Sequence, residues 1–354
     1  MRIGIPREIK PLEGRVGLIP AAAAELVNCG HELYIESGAG DLSGYSDAQY
    51  TALGVKLQPD AVSLYDVAEM IIKVKEPVEP EIALLRKEHL LFSYLHLAAE
   101  PALTRKLLDI GLTAVAFETV EEQQQLPLLA PMSDIAGRLA TQIGTTLLHQ
   151  PNGGKGVLLG GLPAAPRGRV VILGGGVAGG GAAMLAASMG AEVVVFDKAR
   201  AKLTQMRALG ANVTALYAYS DQIADAVAGA DLLIGAVLVP GAKAPHLVSA
   251  EMVRSMGRGS VVIDIAVDQG GCIETTRPTS YQSPTFVWEE VVHFCVTNMP
   301  GAVPRSASQA LSAALIPYAI KLANGELDQH ASLKGGINLR GGELIHPALQ
   351  QSMA

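Results

Sequence analysis

Four side chains able to bind charge or move a proton fall at the ends of apolar runs. They are Arg15 in EGRVGLIP, Lys75 in MIIKVKE, His96 closing HLLFSYLHL, and Asp268 just after SVVIDIA. A guanidinium clamps a carboxylate through a two-pronged contact. An ammonium polarises a carbonyl or hydroxyl oxygen. An imidazole transfers protons near neutral pH. A carboxylate orients a water or the histidine, or stabilises a cationic imine. The chemistry that uses all four is oxidation of a small acid bearing a 2-amino or 2-hydroxy group, with a nicotinamide taking the hydride. Taken singly, each residue has a plainer reading: Arg15 and Lys75 as solvated charges, His96 as a hydrogen-bonded core residue, Asp268 as a turn cap. Asp264, four residues before Asp268, reads as buried and structural.

A glycine turn supplies the cofactor half of that chemistry. Gly174-x-Gly176-x-x-Gly179 follows the apolar run RVVILG and opens a helix-like stretch. The first glycine permits a tight turn, the second lets the backbone approach a pyrophosphate, and the third lets helix and strand pack closely. The helix N-terminus then offers N–H groups and partial positive charge to phosphate. Asp197 ends the next apolar run, 18 residues after Gly179, close to the usual spacing of about 20 for the ribose-binding acid. A carboxylate there accepts from the ribose 2′-hydroxyl and repels a 2′-phosphate, so NAD is expected rather than NADP. Gly180 and Gly181 extend the run without an evident role and read as helix fraying.

These residues need elements to position them. The first 120 residues alternate short apolar runs with helical stretches, and a second alternating series begins near residue 169. Runs over 70–76 and 89–97 read as strands, 134–150 as a helix, and 306–325 as a long helix packing back on the first unit. Such alternation predicts an α/β protein of two doubly wound, Rossmann-like domains with mainly parallel sheets, linked by long helices, with a cleft between them. The expected boundaries are 1–133 plus 300–354 for a discontinuous substrate domain and 134–299 for the NAD-binding domain. Ligands of open α/β sheets bind outside the carboxyl ends of the strands, which is where the four residues are expected to converge.

Composition narrows the partners. The chain has 27 basic and 34 acidic residues, a net charge of −7 without long charge runs, so nucleic acid is not expected. Three dispersed cysteines, Cys29, Cys272 and Cys295, show no metal-ligand spacing and fit a reducing cytoplasm. Residues 170–191 carry no charge over 22 positions, yet seven are glycine, and a buried strand–turn–helix is expected there rather than a membrane span. No secretory leader is expected from MRIGIPREIK, and no membrane partner.

The blocks MRIGIPREIKPLEGRVGLIP, MIIKVKEP, YLHLAAE, LPLLAPMSDIAGRLATQIG, GVLLGG, VVILGGGVAG, IGAVLVPGAKAP, VVIDIAVDQGG and VTNMPGAVP together resemble the alanine dehydrogenase family, over residues 1 to about 325 with a weaker echo in SLKGGINLRGGELIHPAL. The resemblance implies reversible conversion of L-alanine, NAD and water to pyruvate, ammonium and NADH. It implies Arg15 and Lys75 as substrate ligands and His96 and Asp268 as catalytic residues. It also implies a cofactor set of Ser133 at the phosphates and Gly174, Gly176, Val177, Ala178 and Gly179 in the glycine turn. Asp197 and Lys202 belong to the adenosine side, with Val237 and Leu238 lining. Ile265, Ala266, Val267, Asp268, Arg277, Val296, Thr297, Asn298 and Met299 complete it towards the nicotinamide. A homo-hexamer is implied as well. Two departures stand out: Ala218, with Ser220 nearby, where the family often has a serine, and GGGAA at the helix start. Rival readings are the soluble NAD-binding subunit of a proton-translocating transhydrogenase, a non-catalytic NAD-binding protein, and a related 2-hydroxy-acid or opine-type dehydrogenase.

Overall fold

A computed structural model describes residues 1–237 and 245–352. The strands are β1 (Arg2–Ile5), β2 (Glu32–Glu36), β3 (Lys56–Gln58), β4 (Met70–Ile72), β5 (Leu90–Ser93), β6 (Thr113–Ala116), β7 (Arg169–Leu173), β8 (Glu192–Asp197), β9 (Val213–Tyr217), β10 (Leu232–Gly235), β11 (Val261–Asp264), β12 (Thr285–Trp288), β13 (Val291–Phe294), β14 (Ile337–Arg340) and β15 (Glu343–Leu344). The chain divides into two units, Met1–Met132 with Gly301–Ala354, and Ser133–Pro300.

In the first unit the sheet order is β15-β14-β6-β5-β4-β1-β2-β3. Its six strands from β1 to β6 pair in parallel, and the β14–β15 hairpin adds to β6 antiparallel. Met70–Ile72, Leu91–Ser93 and Ala114–Ala116 are buried, as expected of parallel strands covered on both faces, which is why these strands read as largely continuous apolar runs. The second unit repeats the plan as β12-β13-β11-β10-β7-β8-β9, parallel except for β12. Both sheets reverse direction between their first and fourth strands, the position at which doubly wound sheets open a ligand crevice.

Two strands are shorter than the apolar runs suggested. β4 stops at Ile72, not at residue 76, and β5 stops at Ser93, not at residue 97. The cause is side-chain competition for backbone donors. Glu8 accepts from Val74 N–H (2.5 Å) and Lys75 N–H (3.3 Å). Glu118 accepts from Leu95 N–H and His96 N–H (3.2 and 2.6 Å). The carboxylates take donors that a longer ladder would use, and the chain leaves the sheet there. The expected 134–150 helix instead spans Ala130–Leu147. No described helix is long and apolar enough to cross a membrane, and residues 170–191 form β7, the glycine turn and the helix Val177–Ser188.

Two core histidines make folding pH-sensitive. His89 and His293 are buried, and burial lowers both below the ordinary histidine value. His293 Nε2 pairs with Thr275 Oγ1 at 2.8 Å and Nδ1 with the Val291 carbonyl at 3.0 Å. Below about pH 6.5 the unfolded chain binds protons that the folded chain refuses, so stability falls on acidification. Denaturant melts from pH 7 to 5 are expected to show this loss, with a smaller slope in His293→Leu.

Candidate active site

The first unit gathers its ionisable residues at the carboxyl ends of β1, β4, β5 and β6. Arg15 lies in the long β1 loop. That loop is pinned by the helix Pro304–Ala323, whose Ser308 and Ser312 hydroxyls accept from Val16 N–H (3.0 Å) and Ile19 N–H (2.9 Å). An added Cβ at Gly17 would sit 2.9 Å from the Ile72 carbonyl, so a glycine is needed for this loop to approach the end of β4. Arg15 is only 3% exposed and its guanidinium is forked onto Glu13, with Nε–Oε1 at 2.6 Å and Nη2 on Oε2. Burial opposes that charge, but the hydrogen bonds and charge of Glu13 outweigh it and hold Arg15 above the usual arginine value.

Lys75 follows β4. Burial and the positive charge of Arg15 lower its pKa from the ordinary lysine value, while Glu76 and Glu13 oppose that shift. The cations around it are already matched: Lys10 to Glu76, Arg15 to Glu13, Lys73 to Glu8 (3.2 Å) and Glu81 (2.9 Å). Among the described residues, Lys75 Nζ alone of this group has no hydrogen-bond or ion-pair partner. A partly desolvated ammonium without such a partner has the chemistry to take an anionic or carbonyl oxygen.

His96 sits three residues beyond β5 in the left-handed backbone region, φ +49°. This conformation is costly for a non-glycine residue. Two groups stabilise it. Glu118, just past β6, accepts its N–H, and the Tyr94 ring lies parallel to the imidazole with centroids 6.0 Å apart. Nδ1 faces Glu118 Oε1 at 3.9 Å, and the side chain remains 36% exposed. His96 is therefore a fixed, accessible imidazole rather than a core residue.

The second unit carries the glycine turn. Gly174 has φ +97°, and an added Cβ would lie 2.6 Å from the Ala236 carbonyl. A Cβ at Gly179 would strike the Gly174 carbonyl. Gly176 caps the helix Val177–Ser188 without a side-chain hydrogen bond, and a Cβ there would meet nothing within 4 Å. The helix thus begins on open space with its first N–H groups, including those of Val177 and Ala178, lacking a side-chain cap, which fits a pyrophosphate. Asp197 ends β8. Its Oδ2 accepts from Gly175 N–H and its Oδ1 from Ala199 N–H, both at 2.7 Å, with Lys202 Nζ 3.8 Å away. The carboxylate thus stands beside the turn, and each oxygen keeps a second lone pair for a ribose hydroxyl. Ala218 N–H donates to the Asp197 carbonyl at 3.3 Å, and Ser220 starts the next helix.

Gly180 and Gly181 do not fray the helix, which runs unbroken to Ser188. At Gly181 a Cβ would meet Asp134 Oδ1 at 2.5 Å, and at Gly137 one would strike the Ala178 carbonyl. Small residues are needed where these two helices cross. Ser133 lies in the first turn of the Ala130–Leu147 helix.

The remaining expected residues cluster beyond β10, β11 and β13. Val237 is partly buried, and Leu238 falls outside the described residues. Ile265, Ala266, Val267 and Asp268 follow β11, Asp268 being exposed on the one-turn helix Val267–Gln269. Asp264 anchors this loop: it is 1% exposed and accepts from Ala266, Cys272 and Ile273 N–H and from Thr276 Oγ1. The Arg277 guanidinium lies 4.3 Å over the Phe286 ring. Val296 and Met299 are buried, Thr297 is exposed and Asn298 is partly buried. Glu8, Glu13, Lys73 and Glu118 were not singled out from sequence, because their partners lie in other segments or read as surface charge.

A glycine turn at the switch point of one doubly wound unit, with its acid in place, and a lysine without a hydrogen-bond or ion-pair partner, an arginine paired to Glu13 and an exposed histidine at the strand ends of another fit a dinucleotide-dependent oxidoreductase. The chain belongs to the alanine dehydrogenase/PNT family: its N-terminal domain model matches residues 4–136 and its C-terminal domain model residues 140–347. The chain is 46% identical to alanine dehydrogenase of Bacillus subtilis (strain 168), covering 100% of this chain and 95% of that protein. Identity to the alanine dehydrogenase of Methanococcus maripaludis is also 46%, over 99% of this chain and 96% of that one. Among solved structures it superposes on an L-alanine dehydrogenase with TM-score 0.95 at 50% identity, covering 100% and 99% of the two chains. It matches a transhydrogenase from Sinorhizobium meliloti with TM-score 0.86 at 26% identity, covering 98% and 100%.

Proposed function

We propose that this chain catalyses the reversible NAD-dependent oxidative deamination of L-alanine: L-alanine, NAD⁺ and water become pyruvate, ammonium, NADH and a proton. The observation that carries the reading is the Lys75 ammonium, without an ion-pair partner among the described residues and within reach of the Arg15 charge, at the same strand-end edge as the fixed His96, on a chain whose other unit bears a dinucleotide turn. Arg15 clamps the substrate carboxylate and Lys75 binds the substrate oxygen. His96 moves the proton through Nε2, since Nδ1 is turned to Glu118. Asp268 is the second catalytic residue.

When bound, the nicotinamide takes up the hydride from the substrate Cα. Gly174, Gly176, Val177, Ala178, Gly179 and Ser133 hold the phosphates. Asp197 and Lys202 hold the adenosine ribose. Val237, Leu238, Ile265, Ala266, Val267, Arg277, Val296, Thr297, Asn298 and Met299 line the rest. The same reading carries a homo-hexamer in the cytoplasm, which rests on the family resemblance. Light scattering in solution measures the oligomer.

The test is NADH formation with L-alanine compared with L-serine, glycine and L-lactate. Turnover with L-alanine is expected. NAD binding without turnover on any amino acid would support instead a transhydrogenase subunit or a non-catalytic binding protein. For the cofactor, Asp197→Asn keeps one acceptor oxygen and removes the charge. Losing a charge-assisted hydrogen bond is expected to weaken NAD binding by about 10- to 100-fold and to raise use of NADP. Unchanged NAD affinity by titration calorimetry contradicts the ribose role.

A further inference from the structure

The Glu8 side chain stands where a strand is missing. β4 pairs with β1 only as far as Gly4 opposite Ile71. On the other side the chain beyond β4 goes on bonding to the β5 segment: Lys73 N–H donates to the Phe92 carbonyl at 3.2 Å, and Tyr94 N–H to the Val74 carbonyl at 3.1 Å. The donors left over are taken by the Glu8 carboxylate. Oε1 accepts from Val74 N–H at 2.5 Å, and Oε2 from Lys75 N–H at 3.3 Å and from the Lys73 ammonium at 3.2 Å. Two successive N–H groups reach one carboxylate, which the alternating ladder of a strand does not permit. The chain is therefore turned out of the sheet at Lys75, by a buried side chain itself anchored on Lys73.

Lys75 needs such an anchor. Its ammonium has no hydrogen-bond or ion-pair partner among the described residues, and its four-carbon stem is flexible, so the placement of the head depends on the root. We infer that Glu8 is the positioning residue of Lys75: by gripping the backbone of residues 74 and 75 it fixes the root from which the ammonium reaches the substrate oxygen. The inference rests on the reading of Lys75 as that ligand. Glu118 repeats the arrangement one strand further on, accepting from Leu95 and His96 N–H at 3.2 and 2.6 Å. The role is opposite to the one the charge of Glu8 alone suggests. As a bare negative charge within electrostatic reach of Arg15, Glu8 repels anionic pyruvate, and removing it tightens binding. As the anchor of Lys75, its removal weakens binding. As a partner of Lys73 only, its removal changes stability and leaves pyruvate binding alone.

A double-mutant cycle on pyruvate binding separates the three. Glu8→Gln keeps one acceptor oxygen and sets an amide N–H₂ against donors, so one of the two backbone contacts is lost whichever way the amide turns. Lys73 keeps Glu81 at 2.9 Å. Pyruvate is titrated by calorimetry into the NADH-bound enzyme without ammonium. Glu8→Gln is expected to raise Kd for pyruvate by about tenfold or more, the worth of a charge-assisted contact, with Kd for NADH nearly unchanged. In a Lys75→Met background the same change should raise Kd for pyruvate by less than about twofold, because an anchor acts only through the residue it holds. An unchanged or lowered Kd in Glu8→Gln overturns the inference, including the case in which only the melting temperature falls. An equal rise in both backgrounds overturns it too, since Glu8 would then act through something other than Lys75. Should Glu8→Gln fail to fold, Glu8→Asp is read the same way: it keeps the charge but shortens the reach by one methylene, so a raised Kd supports the role and an unchanged one overturns it. Lys75→Met alone tests the reading beneath. If it weakens pyruvate binding and Glu8→Gln does not, Glu8 alone loses its role. If Lys75→Met leaves Kd unchanged, the ligand role of Lys75 falls and Glu8 with it.

Discussion

His96→Ala is expected to lower kcat by about 10²- to 10⁴-fold, the range that a positioned acid–base group contributes. NAD affinity should hold, because the glycine turn and Asp197 belong to the other unit and make no use of the imidazole. The argument for a large effect is geometric. A histidine that served only packing would be buried with both ring nitrogens paired, as His293 is through Thr275 and Val291. His96 is 36% exposed, held at φ +49°, and braced by Glu118 and Tyr94. Backbone strain of this kind persists where the surrounding contacts over-determine it. Stopped-flow turnover and NAD titration on the same preparation measure both halves. Full turnover in His96→Ala would make the residue structural after all.

Lys73→Met is expected to cost about 3–5 kcal/mol of stability, the penalty for leaving buried charge without its partner. Lys73 is 1% exposed, and its ammonium sits between Glu8 and Glu81, whose side chains are 2% and 4% exposed. Burial already raises Glu8 above the usual carboxylate value, with Lys73 pulling the other way. Without the lysine, Glu8 is raised further. A carboxyl raised in the folded state gives stability at low pH that is lost as pH rises through its folded value. The deficit of Lys73→Met should therefore shrink on acidification from pH 8 towards pH 5. Urea midpoints over that range, with m unchanged, check it. A deficit independent of pH would remove the carboxylates from the explanation.

The two lysines of MIIKVKE show where sequence reasoning stops. Lys73 and Lys75 share one strand period, and no local rule separates the one locked between two glutamates from the one without an ion-pair partner among the described residues. The separation depends on Glu8, 65 residues from Lys73. Glu118 likewise braces His96 across 22 residues, from the end of a different strand. By contrast, the glycine turn and Asp197 were legible because strand, turn, helix and acid lie in one continuous βαβ segment with fixed spacing.

Fold was legible wherever apolar runs met clear punctuation. Pro101 opens a helix and Gly111, at φ +77°, closes it. It was less so at FVWEEVVHF, which forms the β12–β13 hairpin. There Glu289 and Glu290 occupy left-handed φ of +47° and +64°, where glycine or asparagine is the usual signal. Arg254 and Arg258 reach these glutamates at 3.6 and 3.4 Å, contacts that no spacing rule anticipates.

The most direct measurement is the fate of the Cα hydrogen. L-Alanine deuterated at C2 is incubated with the enzyme and NAD⁺, and the reduced cofactor, pyruvate and ammonium are quantified together. Deuterium at the nicotinamide C4 in equal amount with pyruvate and ammonium is the expected result. Reduced cofactor without that deuterium, or no reduction while NAD binds, would contradict the account.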